Sequence, residues 1–161
     1  MEPQSTFALI AELALGLAGF SGVAAAFGGR DRSYAPVEAD RLRSLFAHAL
    51  LTLAICLLAI SLLSFELDLK RSIFWSSAAG ALGQLVANGF FIPRAFRYAS
   101  DPSATPGWWG FGVSSSSMML SLVLLGTSAA SGGSIGLLVS ALSLQLLFGL
   151  WVFTRLLIYR N

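Results

Sequence analysis

One carboxylate, Glu12, interrupts the apolar run from Phe7 to Phe27. An acid surrounded by hydrocarbon requires a partner, a proton or water. Ala8, Gly16, Gly19, Val23 and Ala26 fall on the same helical face as Glu12. A face of small residues lets another helix approach closely. The chemistry this pattern offers is electrostatic: repeated around an oligomer axis, Glu12 would form a ring that attracts cations. The expectation is a helix packed in the interior of a membrane bundle, with its acid turned toward something polar and placed near the outer mouth of a pore.

Three other runs carry polar side chains in register. Ser44, His48, Thr52 and Cys56 recur at i,i+4 steps, and so do Ser76, Gly80, Gln84 and Asn88. Gln145 lies beside Ala141 and Gly149. A polar group facing lipid would go unsatisfied, so these stripes should face one another or an oligomer interface. His48, Thr52, Gln84, Asn88 and Gln145 are read as polar contacts between helices, with pore lining as the alternative for the amides. Gly16, Gly19 and Gly80 are read as close-packing positions. At about 1.5 Å per residue, His48 and Asn88 share one depth and Gln84 and Gln145 another. Contacts within each pair are therefore expected.

Catalysis finds no support. The chain has no HExxH, no Walker sequence, no GxSxG and no paired intramembrane carboxylates, so an enzyme is not expected. His48 is the only histidine and has no Cys, Asp or Glu at its level, so no metal site and no cofactor are expected. It reads as a hydrogen-bonded packing residue, with a proton-linked switch as the alternative. Cys56 is the only cysteine, which excludes a disulfide framework and a CxxC site.

The elements that position these residues follow from composition. Of 161 residues, 56% are hydrophobic and 11% charged, against the ~25% charged residues usual in soluble domains. The charges cluster between long apolar runs, as they do between membrane spans. The fold class is an all-α integral membrane protein, a single domain with a bundle of about five transmembrane helices. The expected spans are 7–27, 45–65, 72–92, 112–129 and 134–158, with 36–44 a helical extension outside the lipid. Pro36 suits a first helical residue, and Glu38/Arg41 and Asp40/Arg43 are spaced for ion pairs. Pro93 is expected to stop the third span. Arg94 to Tyr98 would add an interfacial turn or two, and Asp101 to Gly107 would be irregular. Ala24-Ala25-Ala26 resembles a signal-peptidase site. However, the preceding run contains Glu12 and no basic residue leads it, so the first span is expected to be retained.

Five spans put the termini on opposite sides. Arg30, Arg32, Arg41, Arg43, Arg94, Arg97, Arg155 and Arg160 share one side, and Lys70 and Arg71 lie on the other. The positive-inside rule then puts the N-terminus outside and the C-terminus in the cytoplasm. Tyr34, Tyr98 and Tyr159 would form an aromatic belt on the cytoplasmic side. The expected location is a bacterial inner membrane. The expected partners are the lipid bilayer, further copies of the chain, and in one reading another membrane protein. No dense basic patch suggests nucleic acid. The leading functional expectation is a homo-oligomeric channel. Next comes a non-catalytic accessory or scaffold subunit, and after it a small-solute or proton-linked transporter using Glu12 and His48.

Overall fold

The computed structural model describes residues 2–28, 36–65, 67–99 and 107–158. Residues 1, 29–35, 66, 100–106 and 159–161, with Tyr34 and Tyr159, lie outside the described residues. Five helices follow one another: α1 (Pro3–Gly28), α2 (Pro36–Ser64), α3 (Leu69–Ala99), α4 (Gly107–Ala130) and α5 (Ile135–Ile158). Helices α2 to α5 form an antiparallel ring, each packed on the next, with α5 closing onto α2. Helix α1 packs against α2 and α5 from outside this ring.

The burial pattern is that of a protein dissolved in lipid. Large apolar residues such as Leu13, Phe20, Leu57, Val86 and Leu147 are exposed, while Ser21, Thr52, Ser76, Gln84 and Ser128 are fully buried. A soluble monomer does not expose apolar surface on this scale. Four helices are apolar and long enough to span a membrane: α1, α2, α4 and α5. Helix α3 is less apolar because its polar face is turned inward, with Ser72, Ser76, Ser77, Gln84 and Asn88 buried and Trp75, Leu82, Leu85 and Val86 exposed. It runs the full height of its neighbours, from the Tyr98–Asp40 hydrogen bond at one end to Lys70 beside the α4–α5 turn at the other.

The helical extension 36–44 runs without a break into the second span, and together they form α2. One expectation about helix ends needs correction. Helix α3 does not stop at Pro93 but runs on to Ala99. Proline removes one backbone donor, yet membrane helices tolerate it where nearby groups take up the freed carbonyls. Pro93 deprives the Gly89 carbonyl of its backbone donor, and the Arg94 guanidinium donates to the next carbonyl, Phe90 O, at 2.9 Å. Of the two expected ion pairs, Asp40–Arg43 closes at 3.2 Å.

Glycine is required where α4 turns into α5. Gly132 donates to Ala129 O and Gly133 to Ser128 O, the paired bonds of a Schellman cap. Both glycines have positive φ, 76° and 99°. A Cβ on Gly133 would lie 2.2 Å from the Lys70 carbonyl oxygen, so this turn also seats the start of α3. Between ring helices, Gly80 faces Ile55 and Leu125 and Gly83 faces Leu51, while Gly149 faces Leu17 of α1.

Candidate functional site

At the centre of the ring the polar residues of four helices join into one hydrogen-bonded ladder. Thr52 Oγ1 lies 2.7 Å from Gln145 Oε1 and 2.9 Å from the His48 carbonyl, within donating reach of both. Gln145 Nε2 donates to Gln84 Oε1 at 3.0 Å, joining the pair that equal depth placed together, and to Ser121 Oγ at 3.0 Å. Ser121 in turn donates to the Ala141 carbonyl. Gln84 Nε2 donates to Asn88 Oδ1 at 3.0 Å and meets His48 Nε2 at 3.3 Å. His48 and Asn88, expected from depth to meet, are joined through a third residue. Gln84, one turn along the Asn88 face, stands between them and bonds both.

The donor count fixes the tautomer of His48. Its Nδ1 lies 2.7 Å from the Ser44 carbonyl, which only accepts, so Nδ1 carries the proton. With the amides oriented as they are, Nε2 accepts from Gln84. The ring is enclosed by Phe148 at 5.2 Å and Phe91 at 6.0 Å between centroids. Every rung is buried: His48, Thr52, Gln84, Asn88, Ser121 and Gln145 all belong to the polar core. Within a membrane bundle such a network holds the helices together.

Sequence reasoning missed Ser121, and with it the Ser77–Ser128 hydroxyl pair at 2.8 Å. The signal was the spacing Ser114, Ser117, Ser121, Ser128, one inward stripe on α4 that reads at first sight as a weakly apolar helix start. Cys56 is a free thiol buried in the apolar core.

Glu12 is not part of this interior, contrary to expectation. It is exposed on the outer face of α1, together with Gly16, Gly19 and Val23. Gly16 and Gly19 have nothing within 4 Å of an added Cβ, so neither packs a helix within the chain. The reason is the rotation of α1: Phe7, Ile10, Ala11, Ala14 and Ala18 form the stripe that meets the ring, leaving the small-residue face turned away. The depth of Glu12 also changes. Leu17 meets Leu45 and Gly149 across the helix interface. Five residues, or about 7.5 Å, toward the N-terminus brings Glu12 within one helical turn of the Thr52–Gln145 level. Glu12 therefore lies nearer the level of the buried ladder than the outer end of α1.

Comparison with protein-family models, with curated proteins and with solved structures finds no match to this chain.

Proposed function

We propose that the chain is one subunit of a homo-oligomeric cation pore, with copies of α1 lining the axis and Glu12 forming a ring within the membrane. The observation that carries this reading is a lone carboxylate within the span on an outward face, beside two glycines that meet open space. A carboxylate exposed to acyl chains is costly enough that a covering surface or water is expected there. An axis shared by several copies supplies both, and the glycines keep the bore from being filled by side chains. A conduit inside one subunit finds no support, because the hydrogen-bonded ladder crosses the ring interior. A direct Glu12–His48 proton relay finds none either, since His48 is sealed within the ring and Glu12 faces away from it.

In this reading the subunit sits in a bacterial inner membrane, with the arginine-rich end in the cytoplasm. Current across planar bilayers containing the purified protein tests it. Wild-type protein should pass cation current, and Glu12→Gln should reduce conductance or cation selectivity. An oligomer that passes no current, or a current indifferent to Glu12→Gln, refutes the pore. The alternative is a non-conducting accessory or scaffold subunit whose α1 face is covered by another membrane protein, and the ladder across the ring interior favours it over a transporter. A stoichiometric second protein co-purifying from native membranes would support that alternative.

A further inference from the structure

The ladder has more acceptors in reach than one hydrogen-bonding pattern uses. Thr52 Oγ1 carries a single proton, yet Gln145 Oε1 lies at 2.7 Å and the His48 carbonyl at 2.9 Å. Ser121 Oγ lies 3.0 Å from Gln145 Nε2 and 3.4 Å from the Ala141 carbonyl. The oxygen and nitrogen of a side-chain amide have nearly the same shape. Turning an amide over therefore exchanges donor and acceptor while the packing stays in place. The direction in which the ladder runs is set by its members that can change, and the titratable one is His48 Nε2.

With Nε2 unprotonated, Gln84 Nε2 donates to it and to Asn88 Oδ1. Gln145 Nε2 donates to Gln84 Oε1 and Ser121 Oγ, and Thr52 donates to Gln145 Oε1. A proton on Nε2 would set donor against donor. Turning Gln84 over puts its Oε1 against the new N–H and its Nε2 against Gln145, so Gln145 and Asn88 must turn over as well. Gln145 Oε1 then accepts from Gln84 and Ser121, and its Nε2 donates to Thr52 Oγ1. Thr52 swings its O–H to the His48 carbonyl, already in place at 2.9 Å. Only the two longest contacts are given up, Asn88 Nδ2 to Met119 Sδ at 3.9 Å and Ser121 to the Ala141 carbonyl at 3.4 Å.

The reversal takes up a net proton. Nδ1 must go on donating to the Ser44 carbonyl at 2.7 Å, so a shift of tautomer cannot drive it. The resulting imidazolium has both N–H groups on acceptors, Ser44 O and Gln84 Oε1, which a buried cation requires. The side chains that meet the ring are uncharged: Gln84 and Phe91 from α3 and Phe148 from α5. Ser44, Phe91 and Phe148 also line a cavity of about 100 Å³ at the arginine-rich end, with room for a few water molecules. The charged groups of that cavity are Asp40 and Arg41 from α2, Arg94 from α3 and Arg155 from α5, and α4 adds the hydroxyls of Ser114 and Ser115. Glu12 of α1 faces away.

We propose that the ladder is a proton-linked switch. Protonation of His48 from the cavity side turns over Gln84, Asn88 and Gln145 together and moves the Thr52 and Ser121 hydroxyls to their second acceptors. The switch lies inside one subunit and operates whether or not α1 lines a pore.

The test is nuclear magnetic resonance of the full-length protein in lipid nanodiscs, with isotope-labelled histidine and glutamine, from about pH 8 to about pH 5. His48 is the only histidine, so its ring signals need no assignment. As pH falls, Nε2 should move to its protonated position. With the same midpoint, the Gln145 amide protons should exchange their proximity to Ser121 for proximity to Thr52. Gln145 is linked to the ring nitrogen through Gln84, so Gln84→Leu should leave the Gln145 amide beside Ser121 at every pH. Where that variant fails to fold, the wild-type titration decides alone. A ring nitrogen that stays unprotonated across this range in the folded protein would overturn the proposal. So would a ring that takes the proton while the Gln145 amide keeps its place beside Ser121.

Discussion

Replacing Gln84 by leucine should break the ladder at one of its two triply bonded rungs. Gln84 bonds His48, Asn88 and Gln145, all of them buried. At about 0.6 kcal/mol per intramembrane hydrogen bond, three losses sum to roughly 2 kcal/mol. His48 Nε2 and Asn88 Oδ1 would also be left facing an apolar side chain, which raises the loss toward about 3 kcal/mol. Gln145→Leu should cost less, roughly 1–2 kcal/mol, because Thr52 and Ser121 keep their bonds to the His48 and Ala141 carbonyls. The double variant loses the shared Gln84–Gln145 bond only once. The two single losses should therefore exceed the double loss by about 0.6–1.7 kcal/mol. Reversible unfolding in mixed micelles, titrated with sodium dodecyl sulfate and followed by tryptophan fluorescence, measures all four corners of the cycle. Losses that add to within about 0.3 kcal/mol would show that the two amides do not act on each other, and the reasoning would fail.

Two further outcomes follow from backbone and surface geometry. Gly133→Ala should destabilise the fold by roughly 1–3 kcal/mol, since the residue holds positive φ and its Cβ would strike the Lys70 carbonyl. Gly16→Ala, in open space on an exposed helix face, should instead leave the isolated subunit as stable or up to about 1 kcal/mol more so. Thermal unfolding of the two variants compares them directly, and a Gly133→Ala protein as stable as wild type would contradict the turn geometry. At the end of α3, the hydrogen bond to the Asp40 carboxylate, with lesser help from desolvation and from the Asp40 charge, raises the Tyr98 phenol above its ordinary value. The bond's contribution to stability is then complete below about pH 10 and is lost as pH rises through the higher folded-state value. Ultraviolet titration should show a late-titrating phenol that moves back toward the ordinary value in Asp40→Asn, and an unchanged midpoint would refute the bond.

Composition and periodicity alone determined the class of object and much of its interior. Apolar runs too long for a soluble core dictated membrane helices. The i,i+4 stripes of α2 and α3 dictated which faces would turn inward, because a helix carries residues four apart on one side whatever its neighbours are. That is why His48, Thr52, Gln84 and Asn88 could be placed on inward faces before any contact was known. Helix ends were less legible. Pro93 looks like a stop in isolation, but it costs the helix one backbone bond and α3 continues past it to Ala99. The rotation of α1 could be decided only in three dimensions. Its sequence offers two usable faces, one of small residues around Glu12 and one through Phe7, Ile10, Ala14 and Ala18, and periodicity cannot rank them. The groove between α2 and α5 selected the second, where Leu17 seats against Gly149, and so left the acid outside. The cavity lined by Asp40, Arg41, Arg94 and Arg155 was equally hidden, because its residues come from the ends of separate helices that only the closed ring brings together.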